Sequence, residues 1–211
     1  MICVSISDPS QVETVLRSGA SLIELRLDLL GTDPEVLFSG ISEEVKTVIT
    51  CRPGSLEDAV RSRYVIRAIV MGASYVDLEL ESPSVYSDEI MRVASLHGCE
   101  VIFSYHNFEA TPGRTELAGI LERCYERGGD VAKIATLVQR REDLLNLISL
   151  YDLPGRKVVL GMGILGRITR VISPYLGAEF TFASPASGSE TAPGQLNDSQ
   201  LKDIYNVINA P

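Results

Sequence analysis

Residues 100–136, EVIFSYHNFEATPGRTELAGILERCYERGGDVAKIAT, carry the pattern of one complete strand–helix–strand unit. Aliphatic and β-branched residues dominate the two ends, 100–106 and 131–136, and predict strands there. Between them, apolar residues recur at the three- and four-residue spacing of one helix face: Leu117, Ile120, Leu121 and Cys124. Gly128 and Gly129 end this predicted helix, so the stretch connects two strands through a helix.

The same unit repeats along the chain, and eight apolar runs predict strands: 2–6, 22–28, 47–51, 75–80, 100–106, 131–136, 157–162 and 179–183. Strands that alternate with helices pair in parallel through right-handed crossovers. Eight such units predict an α/β fold, a (β/α)₈ or TIM barrel, although about 250 residues is usual for it. Since no linker or low-complexity segment interrupts the pattern, we expect residues 1–211 to form a single domain.

An open, doubly wound sheet is the alternative architecture. Such a sheet commonly carries G-x-G-x-x-G after its first strand, whereas Ser5-Ile6-Ser7-Asp8-Pro9 stands there in this chain. The barrel is therefore favoured. Its second unit is short, because residues 33–39 offer barely two helical turns.

The composition excludes several classes of protein. Hydrophobic residues make up 45% of the 211 residues and aromatic residues only 6%, as in the aliphatic core of a helix-covered parallel sheet. A net charge of −9 argues against nucleic acid and anionic membranes as partners. The start, MICVSISDPS, lacks a signal-peptide pattern and no run reaches membrane-spanning length, so we expect a cytoplasmic protein.

The cysteines and histidines argue against a metal site. Four cysteines are scattered without a C-x-x-C pair, and the chain has two histidines, too few for the usual zinc arrangements. We expect the cysteines to be small, buried and reduced. His97, just before Gly98, is expected at a helix C-terminus, which leaves His106 as the histidine of interest.

Polar residues late in the predicted strands are the candidates for chemistry, because barrel active sites lie at the carboxyl ends of the strands. Glu24, Arg26 and Asp28 alternate along the second run, which places all three on one side of a strand. Three charges there need each other or a ligand as partners, since helices cover the outside of a barrel. Arg52 ends the third run in the same manner.

Lys133 is the most informative residue, because apolar neighbours flank it on both sides in a short strand. An apolar environment disfavours the charged form of a lysine, and an uncharged lysine can attack a carbonyl and form an imine. His106 ends the preceding strand, where a base is useful. Adjacent strands lie about 4.8 Å apart, so we expect His106 to lie beside Lys133.

Several segments together resemble the type I 3-dehydroquinate dehydratases: Glu24-Leu25-Arg26-Leu27-Asp28, Ser104-Tyr105-His106-Asn107-Phe108 with Thr111-Pro112, Val131-Ala132-Lys133-Ile134-Ala135, Met162-Gly163 through Thr169-Arg170, and Thr191-Ala192-Pro193-Gly194-Gln195. They follow the order of that family between Ser5 and Gln195, nearly the whole chain. The resemblance implies a (β/α)₈ barrel of the shikimate pathway, in aromatic amino acid biosynthesis. It also implies no metal or organic cofactor, and a homodimer as one option.

The resemblance implies a role for each matching residue. Lys133 would form a Schiff base with the C3 ketone of 3-dehydroquinate. His106 would remove the C2 proton and then protonate the departing C1 hydroxyl, a syn elimination that yields 3-dehydroshikimate. Arg170 and Gln195 would hold the substrate carboxylate. The remaining substrate contacts would come from polar and charged side chains at other strand ends: Ser5, Glu24, Arg26, Arg52 and Thr191.

Two features of the loops bear on these roles. The loop from Ser184 to Gln195 is rich in Gly, Ser and Pro, and we expect it to close over bound substrate as a lid. Many family members carry a glutamate four residues beyond the third-strand arginine, oriented toward the histidine. Here Leu56 stands at that offset and Glu57 follows, so the carboxylate that orients His106 is left open.

Two other classes of protein share parts of this pattern. A class I aldolase has a barrel and a strand-borne lysine, and the glycines in 161–166 suit a phosphate cradle. Activity toward a sugar phosphate, without activity toward 3-dehydroquinate, would support that class. A non-catalytic binding barrel would tolerate Lys133→Met, whereas an imine-forming enzyme would lose turnover.

Overall fold

The strands form one parallel sheet. The computed structural model describes residues 1–54, 56–185 and 190–210. Its eight strands are β1 (Ile2–Ile6), β2 (Leu22–Arg26), β3 (Lys46–Thr50), β4 (Tyr75–Glu79), β5 (Glu100–Asn107), β6 (Val131–Leu137), β7 (Lys157–Met162) and β8 (Thr181–Ala183). Neighbours in sequence pair in parallel from β1 to β7, and β8 pairs with β1.

The sheet curls into a nearly closed barrel. The Glu179 amide donates to the Lys157 carbonyl oxygen at 2.9 Å and joins the chain entering β8 to β7. The predicted barrel is therefore confirmed. The open doubly wound sheet is excluded, because its strand order would reverse at a switch point instead of running around a ring.

Helices surround the barrel: α1 (Gln11–Arg17), α2 (Leu27–Leu30), α3 (Pro34–Phe38), α4 (Asp58–Val70), α5 (Ser84–His97), α6 (Arg114–Glu126), α7 (Arg141–Ile148), α8 (Gly163–Ile172) and α9 (Asp198–Ile208). The second unit is short, as predicted, since α2 and α3 span four and five residues. His97 ends α5 and lies on the surface, also as predicted. No helix within the described ranges is long and apolar enough to cross a membrane.

The apolar core consists of two separate clusters, and their positions determine where polar residues can lie. One apolar cluster fills the space between the strands and the helices. A second cluster fills the barrel interior toward the amino-terminal ends of the strands: Cys3, Leu22, Val48, Tyr75, Ile102, Val131, Val158, Leu160, Phe180 and Phe182. The polar inward positions come later in the strands, so polar chemistry is confined to the carboxyl end. All four cysteines are buried and free of disulfides, as expected.

The prediction of one strand through Asp28 is wrong. β2 ends at Arg26, and the chain turns at once into α2, which buries Leu27 and Leu30 and stops at Gly31 with φ +57°. Asp28 therefore lies on the helix, where its carboxylate pairs with Arg26 at 2.6 Å. β8 is also shorter than predicted and begins at Thr181. β1 and β7 have the predicted bounds, and the ends of the other strands differ by at most one residue.

Candidate active site

One cavity opens at the carboxyl end of the barrel, and all the site residues predicted from the sequence line it: Ser5, Glu24, Arg26, Arg52, His106, Lys133, Arg170, Thr191 and Gln195. The rest of its wall is largely apolar, with Phe108, Ala135, Leu160, Met162, Phe182 and Ala192. Its space of about 600 Å³, open mouth included, suits a small molecule.

Lys133 lies in the middle of β6 and is only 4% exposed. Its ammonium donates to Oδ2 of Asp77 at 2.5 Å and lies 4.3 Å from the centre of the Phe182 ring. The lysine is thus held between a carboxylate and an aromatic face. The sequence pattern indicated the burial but not the buried acid, so Lys133 is less isolated than its apolar neighbours suggested.

Asp77 is a buried carboxylate whose two oxygens are both occupied. Oδ1 accepts from the Ser104 hydroxyl at 2.5 Å, and Oδ2 accepts from Lys133. Burial would raise the pKa of Asp77, but the positive charges of Lys133 and Arg52 outweigh it and hold that pKa well below its usual value. Asp77 is therefore ionised at neutral pH.

His106 lies on β5 beside β6, where it pairs in register with Ala135, two residues beyond Lys133. Arg52 reaches both of its ring nitrogens, at 3.0 Å from Nδ1 and 2.9 Å from Nε2. A guanidinium only donates and a neutral imidazole accepts at one nitrogen, so one contact is a hydrogen bond and the other is packing. Burial, followed by the charges of Arg52 and Lys133, holds the pKa of His106 well below its usual value. The imidazole is therefore neutral at pH 7, and its acceptor nitrogen becomes free to take a proton when Arg52 turns away from it.

Glu79, at the end of β4, is the acid next to His106. Its Oε1 lies 3.9 Å from Nδ1 of His106, and it also pairs with Arg52. Glu57 instead precedes α4 on the surface and makes no ion pair with His106 among the described residues. The structure thus places Glu79, and not Glu57, where a carboxylate could orient the imidazole.

Arg170 is a buried cation on α8 with a relative exposure of 2%. Burial lowers the pKa of Arg170 to about 10. Among the described residues it has no carboxylate within ion-pair distance, and one guanidinium nitrogen donates weakly to the Phe182 carbonyl at 3.3 Å. The other cavity cations each pair with an acid: Arg26 with Asp28, Arg52 with Glu79 and Lys133 with Asp77. The guanidinium of Arg170 is thus the cation best placed to receive an anionic ligand.

Close backbone contact brings Arg170 to this position. A Cβ on Gly166 would lie 2.4 Å from the carbonyl carbon of Gly161, so α8 packs directly on β7 only because both positions are glycines. The same helix carries Thr169, whose hydroxyl accepts from the Gly161 amide at 2.8 Å. These contacts hold α8 against β7, and the Arg170 side chain of α8 lines the cavity.

The loop before α9 lies against the start of α8. The Pro193 carbonyl accepts from the Gly163 amide at 3.0 Å, and a Cβ on Gly194 would lie 2.4 Å from the Gly163 carbonyl oxygen. Oε1 of Gln195 accepts from the amide and hydroxyl of Thr191, which leaves its amide nitrogen available to donate. Residues 186–189 of the expected lid lie outside the described residues.

The remaining predicted residues also carry unused hydrogen-bonding capacity. Glu24 accepts from Thr50 at 2.7 Å through one carboxylate oxygen, and its other oxygen can bind a hydroxyl. The Ser5 hydroxyl is buried without a partner among the described residues. Both line the cavity, as would be expected of groups that bind a polar ligand.

Comparison with known proteins identifies the family. The model of the type I 3-dehydroquinase family matches residues 2–210. The chain belongs to the type I 3-dehydroquinase family. It is accordingly an enzyme of the hydro-lyase class.

Its relatives and neighbours agree with this membership. The 3-dehydroquinate dehydratase of Methanosarcina barkeri is 33% identical, over 91% of this chain and 87% of that protein. The enzyme of the same name from Methanocaldococcus jannaschii is 32% identical over 99% of both. The crystal structure of 3-dehydroquinate dehydratase from Aquifex aeolicus has a TM-score of 0.84 and 26% identity, with each chain covered completely.

Two acids of this type I 3-dehydroquinase site, Asp77 and Glu79, were missed by the sequence reasoning. Both lie in the run 75–80, which was interpreted only as a predicted strand. The alternation that placed Glu24 and Arg26 on one face of β2 applies equally to Asp77 and Glu79 on β4. The signal was therefore present in the sequence.

Proposed function

We propose that this chain dehydrates 3-dehydroquinate to 3-dehydroshikimate, in the shikimate pathway, through a protonated imine on Lys133. The observation that carries the proposal is the pairing of cavity charges: among the described residues, buried Arg170 has no acid partner, and it lines the same cavity as Lys133 and His106. A ketone that bears a carboxylate matches both features. The carboxylate pairs with Arg170, and the ketone reaches Lys133.

The first step joins the lysine to the ketone. The Lys133 nitrogen adds to the C3 carbonyl carbon, and loss of one water leaves a C=N bond. The overall change converts an ammonium and a ketone into an iminium and water, so the charge on nitrogen stays +1. A cationic imine withdraws electrons from the neighbouring carbon and makes the C2 proton acidic.

His106 carries the proton transfers. Its imidazole is neutral, and once Arg52 turns from it to a ring hydroxyl of the substrate, it can accept the C2 proton. The electron pair of the broken C–H bond moves into the imine to give an enamine. The enamine expels the C1 hydroxyl, which takes the proton from His106 and leaves as water. One base on one face of the ring suits a syn elimination. Hydrolysis of the imine frees the product and Lys133.

Substrate binding is shared between charge and hydroxyl contacts. Arg170 and the free amide of Gln195 would hold the carboxylate, while Glu24, Arg26 and Arg52 would bind ring hydroxyls, with Ser5 and Thr191 adding further contacts. The loop 190–195 would close over the ligand by its contacts with Gly163.

A sugar-phosphate aldolase is less well supported. The glycines that suited a phosphate cradle have other uses, because the Gly163 amide already donates to Pro193 and Gly166 packs on Gly161. A phosphate would also need several free backbone N–H groups. The Arg170 and Gln195 pair suits a carboxylate.

The direct test is turnover. The wild-type protein should convert 3-dehydroquinate to an absorbing, conjugated enone, and Lys133→Met should reduce kcat by at least about 10⁴-fold, because no imine can form. Lys157→Met is the matched control, since Lys157 is equally buried on the next strand but donates to the Leu153 and Gly155 carbonyls outside the cavity. Turnover of a sugar phosphate, with 3-dehydroquinate untouched, would overturn the proposal.

Four wider expectations belong to the same proposal. We expect the barrel to act as one catalytic domain over residues 1–211, in the cytoplasm and without a nucleic-acid partner. We also expect a homodimer. Exposed apolar side chains on α7 and α8 support the dimer.

A further inference from the structure

We propose that Asp77 is a positioning residue that keeps the Lys133 nitrogen positively charged both before and after the imine forms. The inference rests on the imine chemistry proposed above. It adds that Asp77 favours the protonated form of the Lys133 amine, which slows addition to the ketone. In the next step Asp77 favours the protonated form of the imine.

The geometry places the carboxylate permanently against this nitrogen. Asp77 projects from β4 and Lys133 from β6, and their side chains are 1% and 5% exposed at a separation of 2.5 Å. Ser104, on the intervening strand β5, fixes the other carboxylate oxygen. Because Asp77 is held from both sides and shielded from water, it cannot turn away when the ammonium becomes an iminium.

The other titratable groups facing the pair are spread over the neighbouring strands: Cys3 from β1, Glu24 and Arg26 from β2, Arg52 after β3 and His106 from β5. The arginines each hold an acid of their own, and Cys3 stays a thiol because burial strongly raises its pKa. Glu24 is bound to Thr50. Asp77 is therefore the carboxylate in direct contact with Lys133 among the described residues.

The chemical consequence differs between the two steps. A carboxylate in contact with the amine favours the ammonium, which cannot attack a ketone, so Asp77 slows addition. The same carboxylate favours the protonated imine over the neutral imine. Only the protonated form is a strong electron sink, so Asp77 accelerates removal of the C2 proton. Removing its charge should shift the two steps in opposite directions, which a merely structural role would not do.

The test measures the two steps separately. Brief labelling with acetic anhydride at pH 7, with peptide mass spectrometry, reports how much of Lys133 is free amine, and exposed Lys46 calibrates the reagent. In Asp77→Asn, acetylation of Lys133 should rise at least about tenfold, as expected when a neighbouring opposite charge is lost. Turnover of 3-dehydroquinate should nevertheless fall at least about tenfold. Ser104→Ala is the matched control, because it loosens Asp77 without removing its charge and should leave acetylation near the wild-type yield.

Each other outcome is decisive. Unchanged acetylation, unchanged turnover, or an equal rise in acetylation in Ser104→Ala would overturn the role of Asp77. If Asp77→Asn does not fold, Asp77→Ser removes the same charge and is subject to the same criteria. The labelling requires no substrate, so a wild type that leaves 3-dehydroquinate unconsumed would sink the proposed function separately from the acetylation result.

Discussion

At the scale of single residues, the surroundings of His106 lead us to predict how kcat/KM depends on pH. Burial and the neighbouring cations Arg52, Lys133 and Arg26 lower the pKa of His106, so its neutral form persists to lower pH than that of an ordinary histidine. The acid limb of kcat/KM for 3-dehydroquinate should therefore lie below the usual histidine value of about 6.5, as a steady-state pH profile would show. Arg52→Gln should move the limb upward, because it removes the cation that lowers the pKa of His106 most. A wild-type limb at or above about 6.5 would contradict this reading of His106.

Residue-level reasoning from the sequence found the side chains that line the cavity but not the acids that balance their charges. The sequence predicts Lys133 and His106 on neighbouring strands, and the structure has them on β6 and β5, two residues apart in register. Asp77 and Glu79 were passed over because they lie within an aliphatic run. Which acid pairs with which cation depends on distances between β3, β4, β5 and β6, and no spacing along the chain contains those distances.

At the scale of elements, α7 and α8 make a prediction about assembly. Their outer surface exposes Leu145, Ile164, Leu165 and Ile168, and Ile164 is 81% exposed. Exposed apolar side chains on neighbouring helices are typical of an interaction site, and in the proposed homodimer a second copy of the chain would cover them. Size-exclusion chromatography with light scattering should give the mass of two chains for the wild type and the mass of one chain for Ile164→Lys.

Val85→Lys is the matched control for that substitution. Val85 is 83% exposed at the start of α5, so the same charge is introduced at equal exposure away from α7 and α8. This variant should remain dimeric. A wild type that elutes with the mass of one chain would refute the dimer.

Element boundaries were predictable where the apolar pattern ends abruptly and less so where a strand runs into a helix. The eight strands were all identified, because each alternates with an amphipathic stretch. The sequence predicts β2 too long, because Leu27 and Leu30 continue its apolar run. In the structure these two residues are the buried side chains of α2. The left-handed Gly31 that ends α2 gives a local reason for the turn.

At the scale of the whole molecule, an acidic protein encloses a cavity in which one buried cation has no acid within ion-pair distance among the described residues. The chain has a net charge of −9, yet the Arg170 guanidinium lies buried in the cavity without an acid partner among the described residues. This arrangement localises the attraction for an anionic substrate at one point, next to the nucleophile. The fold could be predicted from repetition along the chain, whereas this pattern of paired and unpaired charges emerges only when the strands close into a ring.

The measurement that tests the central claim most directly is covalent capture of the intermediate. The protein is mixed with 3-dehydroquinate, treated with borohydride to reduce any imine, digested and mapped by peptide mass. The account predicts an irreversible adduct on Lys133 that appears only when substrate is present. No adduct on Lys133, or an adduct on another lysine while 3-dehydroquinate is consumed, would contradict it.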